Sequence, residues 1–339
     1  MNTVINTVRE ILREATAISL KLFGIMVPVI VAVKVLQEMG MIDVLGGLLA
    51  PFMGMVGLPG SMGLVLATSM MSSVYGGMAA FVSLSGITPL TVAQATVVTS
   101  MILIAHALPV ELRIAQKAGV RMPVMAGIRI LGAFAYGFLF HVIASWGDWL
   151  QEPNTTAWMP PVEDTSLAGW GIGQLKSLAV IYAAILGLLV VLKIFDRLGV
   201  TNLMVRCLEP ILRLLGIGKS AATLTIVGMT LGVAYGGGLI IQQAQSGAIG
   251  KRDIFFSLSL MGLCHSILED TFLMTLLGGH LSGVLWGRVL FSLACTYVLV
   301  KWVSSISDAA FSRFFFLEND SPVRLSGMLR LQRFFQGRE

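Results

Sequence analysis

Residues 261–279 read MGLCHSILEDTFLMTLLGG, a run apolar enough to lie inside a membrane yet carrying His265, Glu269 and Asp270 within six residues. An ionisable side chain at the bilayer centre costs from about 3 to over 10 kcal/mol, so such groups are given partners or water and mark functional sites. His265 and Glu269 are four apart and share one helical face. The spacing is not the H-E-x-x-H of a zinc hydrolase, and no nucleophile–base spacing accompanies it, so the chain is not expected to be an enzyme.

The surroundings fix the class. The chain of 339 residues is 56% hydrophobic and only 12% charged, with a mean hydropathy of +0.85; a soluble protein of this length needs more polar surface. Apolar runs of the length that crosses a bilayer, ~20 residues, fall at 17–35, 90–107, 125–144, 178–192 and 281–303. An all-α polytopic membrane protein is expected. The opening MNTVINTVREILREATAISL sets Val4, Ile5, Val8, Ile11 and Leu12 on one helical stripe opposite Arg9 and Arg13, an interfacial helix over residues 1–15 rather than a cleaved leader. Cys207, Cys264 and Cys295 are scattered among apolar neighbours, with neither a disulfide nor a zinc spacing. The net charge of +5 sits at the ends of spans, where it reports topology and not nucleic-acid binding.

Sliding the chain over itself by 159 residues aligns Lys34 with Lys193, Gly40 with Gly199, Pro51 with Pro210, Gly57 with Gly216, His106 with His265 and Arg129 with Arg288. SSVYGGMAA overlies GVAYGGGLI with a drift of one or two residues. Residues 16–146 and 175–303 are thus two copies of one unit, joined by a polar linker at 147–174 and followed by a basic tail at 304–339. Lysine and arginine collect in cytoplasmic loops. Arg113, Lys117 and Arg121, the segment from Lys193 to Arg252, and the tail are basic, whereas the linker carries Asp148, Glu152, Glu163 and Asp164. Both termini are then cytoplasmic and the linker outside, so each copy crosses an odd number of times and the copies are inverted. Three spans per copy satisfy this if the amphipathic stretches 44–56 and 203–215 lie on the surface and the small-residue segments 61–84 and 220–245 are re-entrant hairpins with YGG at the tip.

The counterpart of the opening stretch is MILIAHALPVELRIAQKAG, residues 101–119, where Pro109 breaks or kinks the helix beside His106. Glu111 and Arg129 lie symmetrically about residue 120, and Asp270 and Arg288 about Gly279, so an antiparallel helical hairpin places each pair side by side. Two ion pairs, Glu111–Arg129 and Asp270–Arg288, are expected. Glu269 has no acidic counterpart and is the candidate for proton or cation handling. Tyr75, Gly76 and Gly77 in copy one, and Tyr235, Gly236 and Gly237 in copy two, are candidate hairpin-tip residues whose free backbone N–H groups could meet a polar or anionic solute.

The YGG hairpin, LIAHALPVEL and LCHSILEDT, present in two inverted copies, resemble the nucleoside-recognition, or Gate, domain family. That family is similar to spore maturation proteins A and B, the Gate regions of the ferrous-iron transporter B and the gate part of concentrative nucleoside transporters. IAHALPV is similar to the iron transporter's Gate segment, with His106 in the place of a cysteine. The nucleotide-binding G domain of that transporter and the Gln-Thr-Glu motif of the nucleoside transporters are not found. The resemblance implies an inner-membrane transporter without a cofactor. Tyr75, Gly76, Gly77, His106, Tyr235, Gly236, Gly237, His265 and Glu269 would line its substrate site, and Glu111, Arg129, Asp270 and Arg288 would serve as coupling ion pairs. A proton-coupled carrier of a small polar or anionic solute is the preferred expectation. A divalent metal-ion transporter and a non-transporting membrane scaffold are the alternatives, and a homodimer would suit the apolar exterior.

Overall fold

A single helix of 37 residues, α1 (Asn2–Glu38), begins the computed structural model, which describes residues 2–85, 88–155, 167–231 and 233–317. At 1.5 Å per residue it is about 55 Å long, well beyond a hydrocarbon core of about 30 Å. The stretch 1–15, expected as a separate interfacial helix, therefore runs unbroken into the first span. Gly40 (φ 69°) then turns the chain through 97° into α2 (Met41–Gly54). That angle lays α2 across the direction of α1.

The hairpin follows as α3 (Met62–Met71) and α4 (Val74–Ser85), then a broken helix as α5 (Val92–Ala105) and α6 (Leu108–Lys117), then the long α7 (Met122–Trp146). The same order returns in α8 (Leu167–Arg197), α9 (Val200–Leu214), α10 (Lys219–Leu231), α11 (Val233–Ser246), α12 (Lys251–Leu263) and α13 (Glu269–Leu276). A π-helical turn, Ser282–Gly287, leads into α14 (Arg288–Ser304), and α15 (Asp308–Phe315) closes the described chain. No β-strand occurs among the described residues.

The repeat extends to the backbone. Left-handed φ values occur at Gly40 and Gly199 (69° and 68°), Gly57 and Gly216 (70° and 91°), Ala107 and Ser266 (50° and 46°), and Gly119 and Gly278 (97° and 93°). Each pair is separated by 159 residues, the offset of the sequence repeat. L-residues avoid this region at a cost of about 1–2 kcal/mol, so glycine holds most of these corners and the two exceptions carry strain.

Helices α1 and α8 run in opposite directions. Along α1 and α8, Lys193 Nζ lies 3.0 Å from Glu10 Oε2, the hydroxyls of Thr16 and Tyr182 are 3.1 Å apart, and Lys34 lies 5.9 Å from the centre of the Trp170 ring. One number climbs while the other falls. For the broken helices, the start of α5 is bound to the linker (Val92 N to Glu152 O, 3.0 Å) and to the turn after α13 (His280 N to Thr96 Oγ1, 2.9 Å). The loop after α6 pairs instead with the end of α15 (Arg121 N to Phe315 O, 2.9 Å), where Phe255 at the start of α12 packs on Phe311 and Phe315. Thus α5–α6 and α12–α13 pass each other antiparallel.

These two broken helices are the core. Every residue from Ala95 to Ala105 and from Ile254 to Leu263 is buried. Around them α7, α8 and α14 turn large apolar side chains outward, among them Leu131, Phe138, Ile172, Leu175, Leu290 and Val298, as a lipid-facing shell requires. Val92–Lys117, Met122–Trp146, Gly169–Phe195 and Ser282–Ser304 are long and apolar enough to span, and the bent α1–α2 pair adds a fifth by the same measure. The α12–α13 segment is not among them: it holds Lys251, Arg252, Asp253, Glu269 and Asp270 although it occupies the place of α5–α6.

Candidate functional site

Each central helix stops halfway. Thr91 and Gln94 start α5 with a reciprocal capping box. It ends at His106, whose backbone is extended (φ −71°, ψ 165°), and Ala107 turns left-handed before α6, which has Pro109 in its first turn. Copy two lacks the proline, yet α12 ends at Cys264 (φ −149°, ψ 92°) and Ser266 makes the same left-handed turn. A break at this depth frees backbone amides that lipid cannot satisfy. Each copy supplies the missing acceptor from the first arm of its hairpin: Ala107 N donates to Ser69 O at 3.0 Å, and Ile267 N to Met229 O at 2.9 Å.

The breaks point the two histidines at each other, with Nε2 atoms 3.1 Å apart and ring centres 4.8 Å apart. Both are buried. His106 Nδ1 lies 3.0 Å from Ile102 O and His265 Nδ1 lies 2.7 Å from Met261 O. A carbonyl can only accept, so each Nδ1 carries the hydrogen and, in the neutral ring, each Nε2 presents a lone pair. Glu111 Oε1 completes the group at 3.3 Å from His106 Nε2 and 3.4 Å from His265 Nε2. Three acceptors therefore converge without a donor among them, and only a cation reconciles them.

Glu111 is divided between two tasks. Its Oε2 lies 2.7 Å from Arg129 NH1, while Arg129 Nε donates to Ile104 O at 2.9 Å. The first expected ion pair is in contact, although Glu111 Oε2 and both Arg129 terminal nitrogens make no hydrogen bond of good geometry among the described residues. The second is not. Arg288 is fully buried but reaches only Thr271 Oγ1, at 3.3 Å; its Nε and NH1, and Asp270 Oδ2, have no hydrogen-bond partner among the described residues. Positions equivalent by the repeat thus hold one closed pair and one open pair. Seen from the sequence the two pairs are alike, and what separates them is that Glu111 reaches both histidines.

Glu269, expected to stand alone, accepts a hydrogen bond from Tyr75 Oη at 2.8 Å. The break between His265 and Glu269 also removes the shared helical face that their spacing suggested. Gly76 and Gly77 are not at a turn. They lie in the first turns of α4, and the reversal is made at Ser72 and Ser73, where Ser73 Oγ accepts from Gly76 N at 3.2 Å. A Cβ on Gly77 would meet Ser69 Cβ at 2.7 Å, so the glycine is there to let the two arms touch. Tyr235, Gly236 and Gly237 are helical within α11, and their side-chain placement lies outside the described residues. Tyr136, which no pattern singled out, donates to Gly283 O at 2.6 Å and braces the π-helical turn ahead of Arg288.

No family model matches the chain. The uncharacterized membrane protein YvoD of Bacillus subtilis (strain 168) is 28% identical over 291 residues, 82% of this chain and 90% of its own length. Among solved structures, a doubly substituted CNTnw in an outward-facing state matches with a TM-score of 0.55 and 15% identity, over 90% of this chain and 85% of that one. At this identity the likeness is one of fold. The chain is a multi-pass, all-α membrane protein whose fold is similar to that of CNTnw.

Proposed function

We propose that the protein is a proton-coupled secondary transporter of a small polar or anionic solute, nucleoside-like solutes included, built from two inverted copies in a bacterial cytoplasmic membrane. The convergence of His106 Nε2, His265 Nε2 and Glu111 Oε1 at 3.1–3.4 Å carries this reading. A proton held there turns one imidazole into a donor to both remaining acceptors. Formal charge agrees: Glu111, Glu269 and Asp270 against Arg129 and Arg288 leave the central group, part of it only half-buried, one positive charge short. Buried charge in lipid is tolerated when paired, so loading a proton neutralises the centre for movement.

The antiparallel course of equivalent helices supports inversion, and inverted repeats let each copy take the other's shape to open the opposite side. The closed Glu111–Arg129 pair and the open Asp270–Arg288 pair are then one half of a cycle, exchanged in the other half. Arg113, Lys117, Arg121, Lys251 and Arg313 gather at the end where α6 finishes and α12 starts, with Asp148 and Glu152 at the opposite end, which favours cytoplasmic termini.

The test needs no knowledge of the solute. With Cys207, Cys264 and Cys295 replaced by Ser, Ser73→Cys places one thiol at the hairpin tip. A membrane-impermeant maleimide should label it in both right-side-out and inverted vesicles, because a carrier exposes its centre to each side in turn. Labelling from one face alone, or from neither, would favour a static scaffold.

A further inference from the structure

We propose that His106, His265 and Glu111 bind a divalent transition-metal ion, with Asp270 as the fourth ligand. Zinc-class ions hold imidazole nitrogen and carboxylate oxygen at about 2.0–2.1 Å in a tetrahedron, whose ligand atoms stand roughly 3.3–3.4 Å from one another. The three atoms here form a triangle with sides of 3.1, 3.3 and 3.4 Å, the size of one face of that tetrahedron. The supporting contacts have the form that metal-binding imidazoles need. Each Nδ1–H is fixed on a backbone carbonyl, which turns the Nε2 lone pair inward, and Glu111 keeps one oxygen on Arg129 while presenting the other.

Asp270 completes the set. It is buried, its Oδ2 has no hydrogen-bond partner among the described residues, and a carboxylate oxygen lies within 4.8 Å of both imidazoles. Metal binding would draw that oxygen inward, toward the separation of a tetrahedral edge from the two imidazoles. Two imidazoles with two carboxylates suit zinc, ferrous or manganous ions; magnesium and calcium prefer oxygen ligands throughout. The ion would take the position otherwise filled by the shared proton. The binding claim stands on this geometry alone, whereas its part in a transport cycle rests on the carrier reading above.

Purified, tag-free protein in detergent, stripped with chelator and then incubated with Zn2+, should retain one ion per chain after gel filtration. Co2+ in its place should give the intense visible bands of four-coordinate cobalt, and X-ray absorption of the zinc form should show imidazole ligands at about 2.0 Å. His106→Gln and His265→Gln should each weaken binding at least tenfold, with His141→Gln and His280→Gln as unaffected controls. Binding well below one ion per chain, a six-coordinate cobalt spectrum, or unchanged binding in the His106→Gln/His265→Gln double variant would overturn the proposal. The absorption measurement uses the wild-type chain, so it decides even if the variants misfold. Failure of metal binding with two-sided labelling of Ser73→Cys intact would remove the metal and leave the carrier.

Discussion

Replacing Glu111 with Gln should be among the most damaging single changes available to the fold, and replacing its partner as well should recover much of the loss. Arg129 is 1% exposed, and its NH1 lies 2.7 Å from Glu111 Oε2. At an effective dielectric of about 20 that separation corresponds to an attraction of about 6 kcal/mol. Desolvation of both ions offsets most of it, yet removing one partner strands the other charge and costs about 3–5 kcal/mol. Glu111→Gln and Arg129→Gln should each lose that much, while E111Q/R129Q loses less than either of them, giving a coupling of at least about 3 kcal/mol. The repeat supplies an internal control. Asp270 and Arg288 hold equivalent positions without a closed contact, so their coupling should stay below about 1 kcal/mol. Reversible unfolding in mixed micelles titrated with SDS, followed by tryptophan fluorescence, reads both cycles. Additive losses at Glu111 and Arg129, or equal couplings in the two pairs, would refute the asymmetry between the two halves.

Three further outcomes follow from particular contacts. Tyr75→Phe removes the hydroxyl that donates to Glu269 at 2.8 Å and should cost about 1–3 kcal/mol, whereas Tyr297→Phe on the exposed face of α14 should cost nothing measurable in the same titration. Pro109→Ala should change stability by less than about 1 kcal/mol, because copy two breaks its helix at Ser266 without a proline and the Ala107–Ser69 bond remains. Paired cysteines at Glu10 and Lys193, and at Lys34 and Trp170, should cross-link with a short bifunctional reagent; efficient linking of Glu10 to Trp170 instead would mean that α1 and α8 run parallel.

Much of this fold can be read from the sequence because a membrane restricts what a chain may do. Apolar runs become spans, and the offset of 159 residues that aligns two of four histidines recurs in the left-handed corners of the backbone. The pairing of Glu111 with Arg129 was legible for a geometric reason: residues symmetric about a helical turn are neighbours. The same rule did not bring Asp270 and Arg288 into contact, since it fixes proximity along the hairpin and not rotation. The break at Cys264–Leu268 has no local residue such as proline to mark it and is held by a tertiary bond, Ile267 N to Met229 O. Glycines 76 and 77 suggested a turn by composition, but in α4 they serve close packing of the hairpin arms. Likewise the charges on α12 and α13 disguise a segment that occupies a span position, since hydropathy records what a segment carries and not what it is paired with.

The central claim is that two antiparallel broken helices bring three acceptor atoms onto one shared cation. Nitrogen-15 NMR of histidine-labelled protein in bilayers, after chelation of metal, reads it directly. Both His106 and His265 should carry a hydrogen on Nδ1, with one further proton shared between their Nε2 atoms. Finding either ring neutral with Nδ1 bare and the hydrogen on Nε2, or both Nε2 atoms free of any proton, would contradict the account.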